Sequence, residues 1–303
     1  MRWRRLGRVF CSEGQHAWMT THAQTPFAER IDGGLHRIYF TARDAANRSH
    51  VGWLELDIAR PDRVLRLCRE PLLAPGAAGA FDDAGAMMSC VVCDGDMRHF
   101  FYTGWSVRTS VPYHLAIGAA NGPRAGENPI ANKLPGPVVE RSPADPLFCA
   151  SPAVLLEGGL WRMWYVSAVG WPVVRGRITP SYDIRYGESD DGIEWRRSGR
   201  VALKLERDEV GFSRPCVVRD GQAYVMWCSV RAQDGGYRLT CARSADGRDW
   251  IRDDAHAQLE PSTGAWDAEM VAYPQVFTHG DDQYLLYCGN GYGRAGFGLA
   301  RLG

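Results

Sequence analysis

The chain repeats itself about every 60 residues, and that period restricts what it can fold into more than any other feature. A short apolar run ending in a Gly turn recurs along it. Pro26 leads into FAERIDGG, Pro152 into AVLLEGG, Pro215 into CVVRDG and Pro274 into QVFTHGD, and Ser89 takes the same place ahead of CVVCDGD. The markers 26, 89, 152, 215 and 274 lie 63, 63, 63 and 59 residues apart. An aromatic-rich strand follows each turn, aligned on Phe40, Tyr102, Tyr165, Trp227 and Tyr287. A third strand comes later in each unit: HVGWLELD, HLAIGAA, DIRYGESDDG, RLTCARSADG and GFGLARLG. Two of these run into one S-x-D-G-x-x-W hairpin, at Ser189–Trp195 and Ser244–Trp250. Asp-Gly between apolar runs is the strongest short hairpin signal.

Each unit therefore reads as three or four antiparallel strands, and five such units account for the whole chain. No amphipathic helix longer than a turn or two is evident. Repeats of four-stranded sheets at this period mark a β-propeller, since the repeats of a β-solenoid are shorter and lack these hairpins. The expectation is all-β: a single five-bladed β-propeller of four-stranded antiparallel blades, one domain over 1–303. The blades fall at roughly 20–75, 83–140, 146–202, 210–258 and 268–303. The fifth unit ends after its third strand, so residues 5–11 are expected to supply its fourth and close the ring, covering two sheet edges at once.

Composition excludes several classes. Apolar residues form 45% of the chain and charged ones 23%, which rules out disorder along the whole length. A net charge of zero argues against a general nucleic-acid or membrane-surface binder. Lys133 and Lys204 are the two lysines, so arginine carries almost all the positive charge. The nine cysteines are odd in number and lie mostly inside apolar runs, as reduced thiols do. Cys90 and Cys93 would point to opposite faces of a strand, against a joint metal or redox role. No signal-peptide core or membrane span is apparent, and a cytoplasmic location is expected. No cofactor and no transition metal are expected.

The five units, the S-x-D-G-x-x-W hairpins and the aromatic second strands resemble the five-bladed glycosidase-type propellers, glycoside hydrolase families 43, 32, 68 and 130, along essentially the whole chain. The resemblance implies a ligand funnel at one end of the central channel, with carboxylates at the starts of the innermost strands. It departs from family 43 in one respect. The approach to the first marker, MTTHAQTP, carries no carboxylate where that family has its base Asp; Gln24 and Thr25 stand nearest.

Glycoside cleavage needs two carboxyl groups with separated roles. Candidates ahead of the other markers are Asp82 and Asp83, Asp145, Glu209 after Glu206 and Asp208, and Asp267 with Glu269. Asp83, Asp267 and Glu269 are taken as the catalytic set. The residues just before the markers (Thr25, Met88, Ser151, Arg214, Tyr273) should ring the channel mouth. Arg43, Asp44, Trp105, Arg231 and Asn290 follow the second strands on the same face. Trp266 and Tyr182 offer aromatic surfaces for a sugar, and Arg214 and Arg43 would orient charged groups. Trp171, Arg175 and Arg177 lie in a long loop on that rim. The expected function is a glycosidase-like enzyme that cleaves or transfers a glycosyl group of a small intracellular glycan or an activated sugar such as a nucleotide sugar. The alternative is a catalytically silent propeller that binds a glycan or a protein partner.

Overall fold

A computed structural model describes residues 2–125, 129–174, 176–206, 208–232, 236–255 and 259–303. Arg175 lies outside them. The fold is all-β. Strand β1 (Trp3–Phe10) comes first, followed by β2 (Thr21–Asp32), β3 (Leu35–Arg43), β4 (Ser49–Asp57) and β5 (Arg60–Leu67). Next come β6 (Gly85–Asp94), β7 (Met97–Val107), β8 (Tyr113–Pro123) and β9 (Asn132–Lys133). The third set is β10 (Cys149–Glu157), β11 (Leu160–Gly170), β14 (Ser181–Ser189) and β15 (Arg196–Leu203), with a small hairpin, β12 (Val173–Val174) and β13 (Arg177–Ile178), in its rim loop. Then follow β16 (Glu209–Asp220), β17 (Ala223–Ala232), β18 (Tyr237–Ser244) and β19 (Ile251–Arg252). The last set holds β20 (Ala272–His279), β21 (Asp282–Cys288), the single turn α1 (Asn290–Gly293) and β22 (Phe297–Leu302). No described helix is long and apolar enough to cross a membrane.

Successive strands of each set pair antiparallel. Strand β1 adds to the far side of β22, with Trp3 opposite Leu302 and Phe10 opposite Phe297. The second strands are buried on both faces, which is why they read as unbroken apolar runs rather than alternating ones. Tyr39, Phe40, Phe100, Tyr102, Trp164, Tyr165 and Tyr287 are fully buried there. The core runs between neighbouring sheets. Phe101 packs with Trp161 and Tyr165 across the second and third sets, and Trp164 with Phe212 and Met226 across the third and fourth. Trp3 and Trp227 join the fourth and last sets, and Phe40, Leu286 and Phe297 join the last and first.

The S-x-D-G-x-x-W segments form matching turns. Ser189 Oγ accepts the Gly192 N–H at 2.9 Å, and Asp191 Oδ1 accepts the Ile193 and Glu194 N–H groups. Ser244 and Asp246 repeat the pattern. Gly192 and Gly247 have φ of 74° and 76°, the left-handed region that only glycine enters without a Cβ penalty.

A second recurring device sits at the ring. Each first strand carries a bulge at its marker: between Gln24 and Phe27, Met88 and Cys90, Ala150 and Ala153, Ser213 and Cys216, and Ala272 and Gln275. Thr25, Ser151, Arg214 and Tyr273 take φ of 51°, 49°, 49° and 57° there. Such non-Gly conformations cost about 1 kcal/mol or more each and persist only where the surroundings impose them. Second-strand side chains help impose them. Thr41, Thr103 and Ser229 each accept, at 2.8 Å, the N–H of the ring residue in the next sheet: Met88, Ser151 and Tyr273. The Thr25 backbone reaches the Cys288 thiol in the same way.

Candidate functional site

Buried acids are paired with basic side chains throughout the sheets. Seven described carboxylates are buried: Glu29, Glu55, Asp82, Asp145, Asp183, Glu209 and Asp267. Each is paired with a cation. Three of them share one design. A tyrosine 20 residues on, from the second strand, donates its hydroxyl to the Asp: Tyr102 to Asp82 at 3.0 Å, Tyr165 to Asp145 at 3.0 Å and Tyr287 to Asp267 at 3.1 Å. A cation from the outermost strand completes each staple. Lys133 on β9 lies 2.7 Å from Asp82, Arg5 on β1 lies 2.8 Å from Asp267, and Arg197 on β15 binds Asp145 with help from Arg185. Burial alone would raise the Asp267 pKa, but hydrogen bonds from Ser262 and Arg5 hold it below the usual carboxylate range.

The predicted site residues divide accordingly. Asp267 is 1% exposed and held by Arg5, Ser262 and Tyr287. Its neighbour Trp266 stacks on Tyr287 at 5.3 Å, as Phe81 stacks on Tyr102, so both belong to the staple. Asp83 is half-buried and accepts the Gly79 N–H at 3.1 Å, as a turn-forming Asp does. Asp44 is bound by Arg48 of its own loop and His50 of β4; burial would raise its pKa, and these bonds hold it low. Trp105 donates its indole N–H to Ser49 at 3.1 Å, joining the second strand set to the first. Ser151 is a ring residue tied to Thr103. Asn290 holds Glu269 from the backbone, accepting its N–H at 2.8 Å. The Glu269 carboxylate itself is exposed and, among the described residues, has no partner.

The remaining residues converge. Arg214 is buried and reaches three other first strands, donating to the carbonyls of Tyr273 at 3.2 Å, Pro26 at 2.7 Å and Ser89 at 3.3 Å. Burial lowers its pKa to about 10. The nearest acid in its own strand, Glu209, binds Arg238 and Arg252 instead. Toward the far ends of the same strands lies a cavity of about 280 Å³, lined mainly by apolar residues including Phe27, Val91, Leu155, Val218 and Phe277.

On the strand-start side stands an aromatic cluster. The Tyr182 and Tyr237 hydroxyls bond each other, and Tyr237 packs on Tyr273 at 5.8 Å and Tyr292 at 6.0 Å. Phe148 connects Tyr182 to Trp171 and Tyr113. The Arg231 guanidinium lies 5.8 Å from the Tyr182 ring and 5.6 Å from the Tyr237 ring, donating to the Pro180 carbonyl. Arg43 approaches Tyr273 from the first sheet, donates to Asn47 at 2.8 Å, and has its pKa lowered by burial. Beside it His22 is held down to about 4, by burial first and then by Arg43 and Arg294.

Arg43, Arg214 and Arg231 differ from every other described arginine that is buried or half-buried, because none of the three has a carboxylate partner. Arg214 is satisfied by carbonyls. Arg43 and Arg231 each keep a buried Nε–H with no acceptor, an omission that costs about 1–3 kcal/mol per group. Among the described residues no group of three or more His, Cys, Asp or Glu is gathered to hold a metal ion.

Tyr113, Tyr237 and Tyr292 were not singled out from the sequence. A signal existed for two of them: Tyr113 and Tyr237 begin third strands, where Tyr182 stands in the third unit.

No protein-family model matches the chain. The uncharacterized protein MT1551 of Mycobacterium tuberculosis is 41% identical over 303 residues, covering 100% of this chain and 99% of its own. A solved glycoside hydrolase superposes with a TM-score of 0.72 at 15% identity, over 99% of this chain and 91% of that one. A thermostable family-43 glycoside hydrolase superposes with a TM-score of 0.66 at 16% identity, over 93% and 88%. At such identities the likeness establishes a fold shared with these glycoside hydrolases.

Proposed function

We propose that this chain, which belongs to the family of the mycobacterial protein MT1551, is a glycosidase-like carbohydrate-active protein working at the strand-start end of its channel. In this reading the five strand sets are the blades of one propeller, and β1 closes the ring by completing the last blade. The β1–β22 pairing and the core shared by the last and first sets support it.

The observation that carries the functional reading is Glu269. It is the one residue of the candidate catalytic set whose carboxylate is committed to no hydrogen bond or ion pair among the described residues. It also stands beside the tyrosines: Met270, the next residue, accepts the Tyr292 N–H at its sulfur. Glu269 is assigned as the acid–base group that protonates the leaving oxygen or activates the acceptor. Asp83, whose one recorded bond is to a backbone N–H, is the second carboxylate. Asp267 is assigned to holding the segment that carries Glu269, not to the chemistry. Tyr182, Tyr237 and Tyr273 would line the sugar.

The test is turnover read by mass spectrometry, with aryl glycosides, oligosaccharides and nucleotide sugars as substrates. Free sugar or a transfer product is expected from the native protein and not from Glu269→Gln, which should melt within a few degrees of it. Product formation by both would remove Glu269 from the chemistry.

A second reading, a silent propeller that only binds its glycan, is favoured by one specific observation. The first-strand approach has no carboxylate and Asp267 is locked in a staple, which leaves few free acids for a pair roughly 5–10 Å apart. No turnover, together with a sugar-induced rise in melting temperature, would select it.

A further inference from the structure

We infer that the glycan taken by this funnel carries an oxyanion, a phosphate ester or a carboxylate, and that Arg43 and Arg231 bind it. The inference rests on the glycosidase-type reading of the same funnel and narrows its substrate class. Elsewhere among the described residues the rule is strict: a buried or half-buried arginine sits on a carboxylate. At the strand-start end Arg214, Arg43 and Arg231 break it; carbonyls satisfy Arg214 and leave the other two short of acceptors. Arg43 faces Tyr273, and Arg231 lies over Tyr237, the ring that packs on Tyr273 at 5.8 Å, so both belong to one aromatic cluster. Each keeps a buried Nε–H without an acceptor.

Charge removed from water needs an opposite charge and a full set of acceptors. No acid of the chain among the described residues supplies them here. A neutral sugar offers hydroxyl acceptors but no charge. An oxyanion offers both, since a guanidinium donates two parallel N–H groups to phosphate or carboxylate through Nε and Nη. His22, kept neutral beside Arg43, adds no competing charge, and exposed Arg294 adds to the local positive field. Arg214 is not part of the site. Its donors already reach three carbonyls, so it fixes the ring beneath.

The test compares glucose, glucose 1-phosphate, glucuronate and inorganic phosphate by thermal shift and calorimetry at low ionic strength. Native protein, Arg43→Gln, Arg231→Gln and Arg231→Lys are compared. The expected result is binding of glucose 1-phosphate, of glucuronate, or of both, weakened by added salt. Each Gln variant should lose about tenfold to a hundredfold in affinity, the loss of a charge-assisted pair. Arg231→Lys keeps the charge over the tyrosines but lacks the fork, and should lose affinity while keeping its melting temperature. This guards against a Gln variant that fails to fold. The better of the two sugars identifies the anion as phosphate or carboxylate. Glucose binding as tightly as either charged sugar would overturn the inference and leave the glycosidase reading standing. Phosphate protecting the protein while every sugar fails would keep the anion site and overturn that reading. No charged compound binding at any salt concentration would overturn the inference.

Discussion

The staples and the funnel mouth use the same residue types to opposite ends. In the staple around Asp145, a carboxylate with no solvent exposure meets one tyrosine and two arginines. At the mouth, Arg231 lies over two tyrosine rings and no carboxylate arrives. One region is complete in itself; in the other, two guanidiniums have no carboxylate among the described residues. On the reading proposed above, the difference separates stability from function: charges that balance internally hold sheets together, and unbalanced ones mark the binding end.

Substitutions can break that contrast. The largest effect is expected at a staple. Asp145→Ala leaves Arg185 on Asp183 but strands Arg197 beside a buried tyrosine hydroxyl, and should destabilise the fold by about 3–5 kcal/mol in urea unfolding. Asp267→Asn keeps the shape and loses the charge, so about 1–3 kcal/mol is expected. At the mouth Arg43→Gln should stay within about 1 kcal/mol of the native protein, because no ion pair is lost with it. A loss at Arg43 as large as at Asp145 would erase the distinction.

A smaller effect sharpens it through pH. His22 has a folded pKa of about 4 against an ordinary 6.5. Between those values the unfolded chain holds a proton that the folded one does not, so this group's contribution is complete above pH 6.5 and is lost as pH falls toward 4. Unfolding free energy measured from pH 4 to 7.5 should therefore rise with pH, and His22→Gln should flatten part of that rise. An unchanged slope would place His22 outside the cationic mouth.

The repeat made most of the strand order legible, because apolar runs, Asp-Gly turns and aromatic second strands recur at one spacing. It also hid the division between scaffold and site. Asp82, Asp145, Asp208 and Asp267 share one phase of the repeat, seven residues ahead of their markers. Three of the four are staples, and in the fourth unit the adjacent Glu209 binds the arginines while Asp208 is exposed. Equivalent residues in a repeat meet equivalent neighbours, so they serve the architecture. Asp267 was read as catalytic because it precedes a first strand, yet its recurrence was the sign of a structural part. Residues that break the phase are better guides to function. Glu269 stands where the other units have Thr21, Ala84, Leu147 and Val210, and Arg214 where they have Thr25, Met88, Ser151 and Tyr273. What no spacing revealed is that Arg43 and Arg231 lack a carboxylate partner among the described residues, since pairing depends on which outer-strand cation reaches which acid across a sheet.

The most direct test of this account is a set of melting curves for the native protein, Asp267→Asn and Arg43→Gln, each with and without glucose 1-phosphate or glucuronate, whichever binds. Asp267→Asn should melt lower but keep the full ligand-induced rise. Arg43→Gln should melt near the native temperature and lose most of that rise. The reverse pattern, with Asp267→Asn abolishing the rise at an unchanged melting temperature, would put the ligand on the staple and contradict the account.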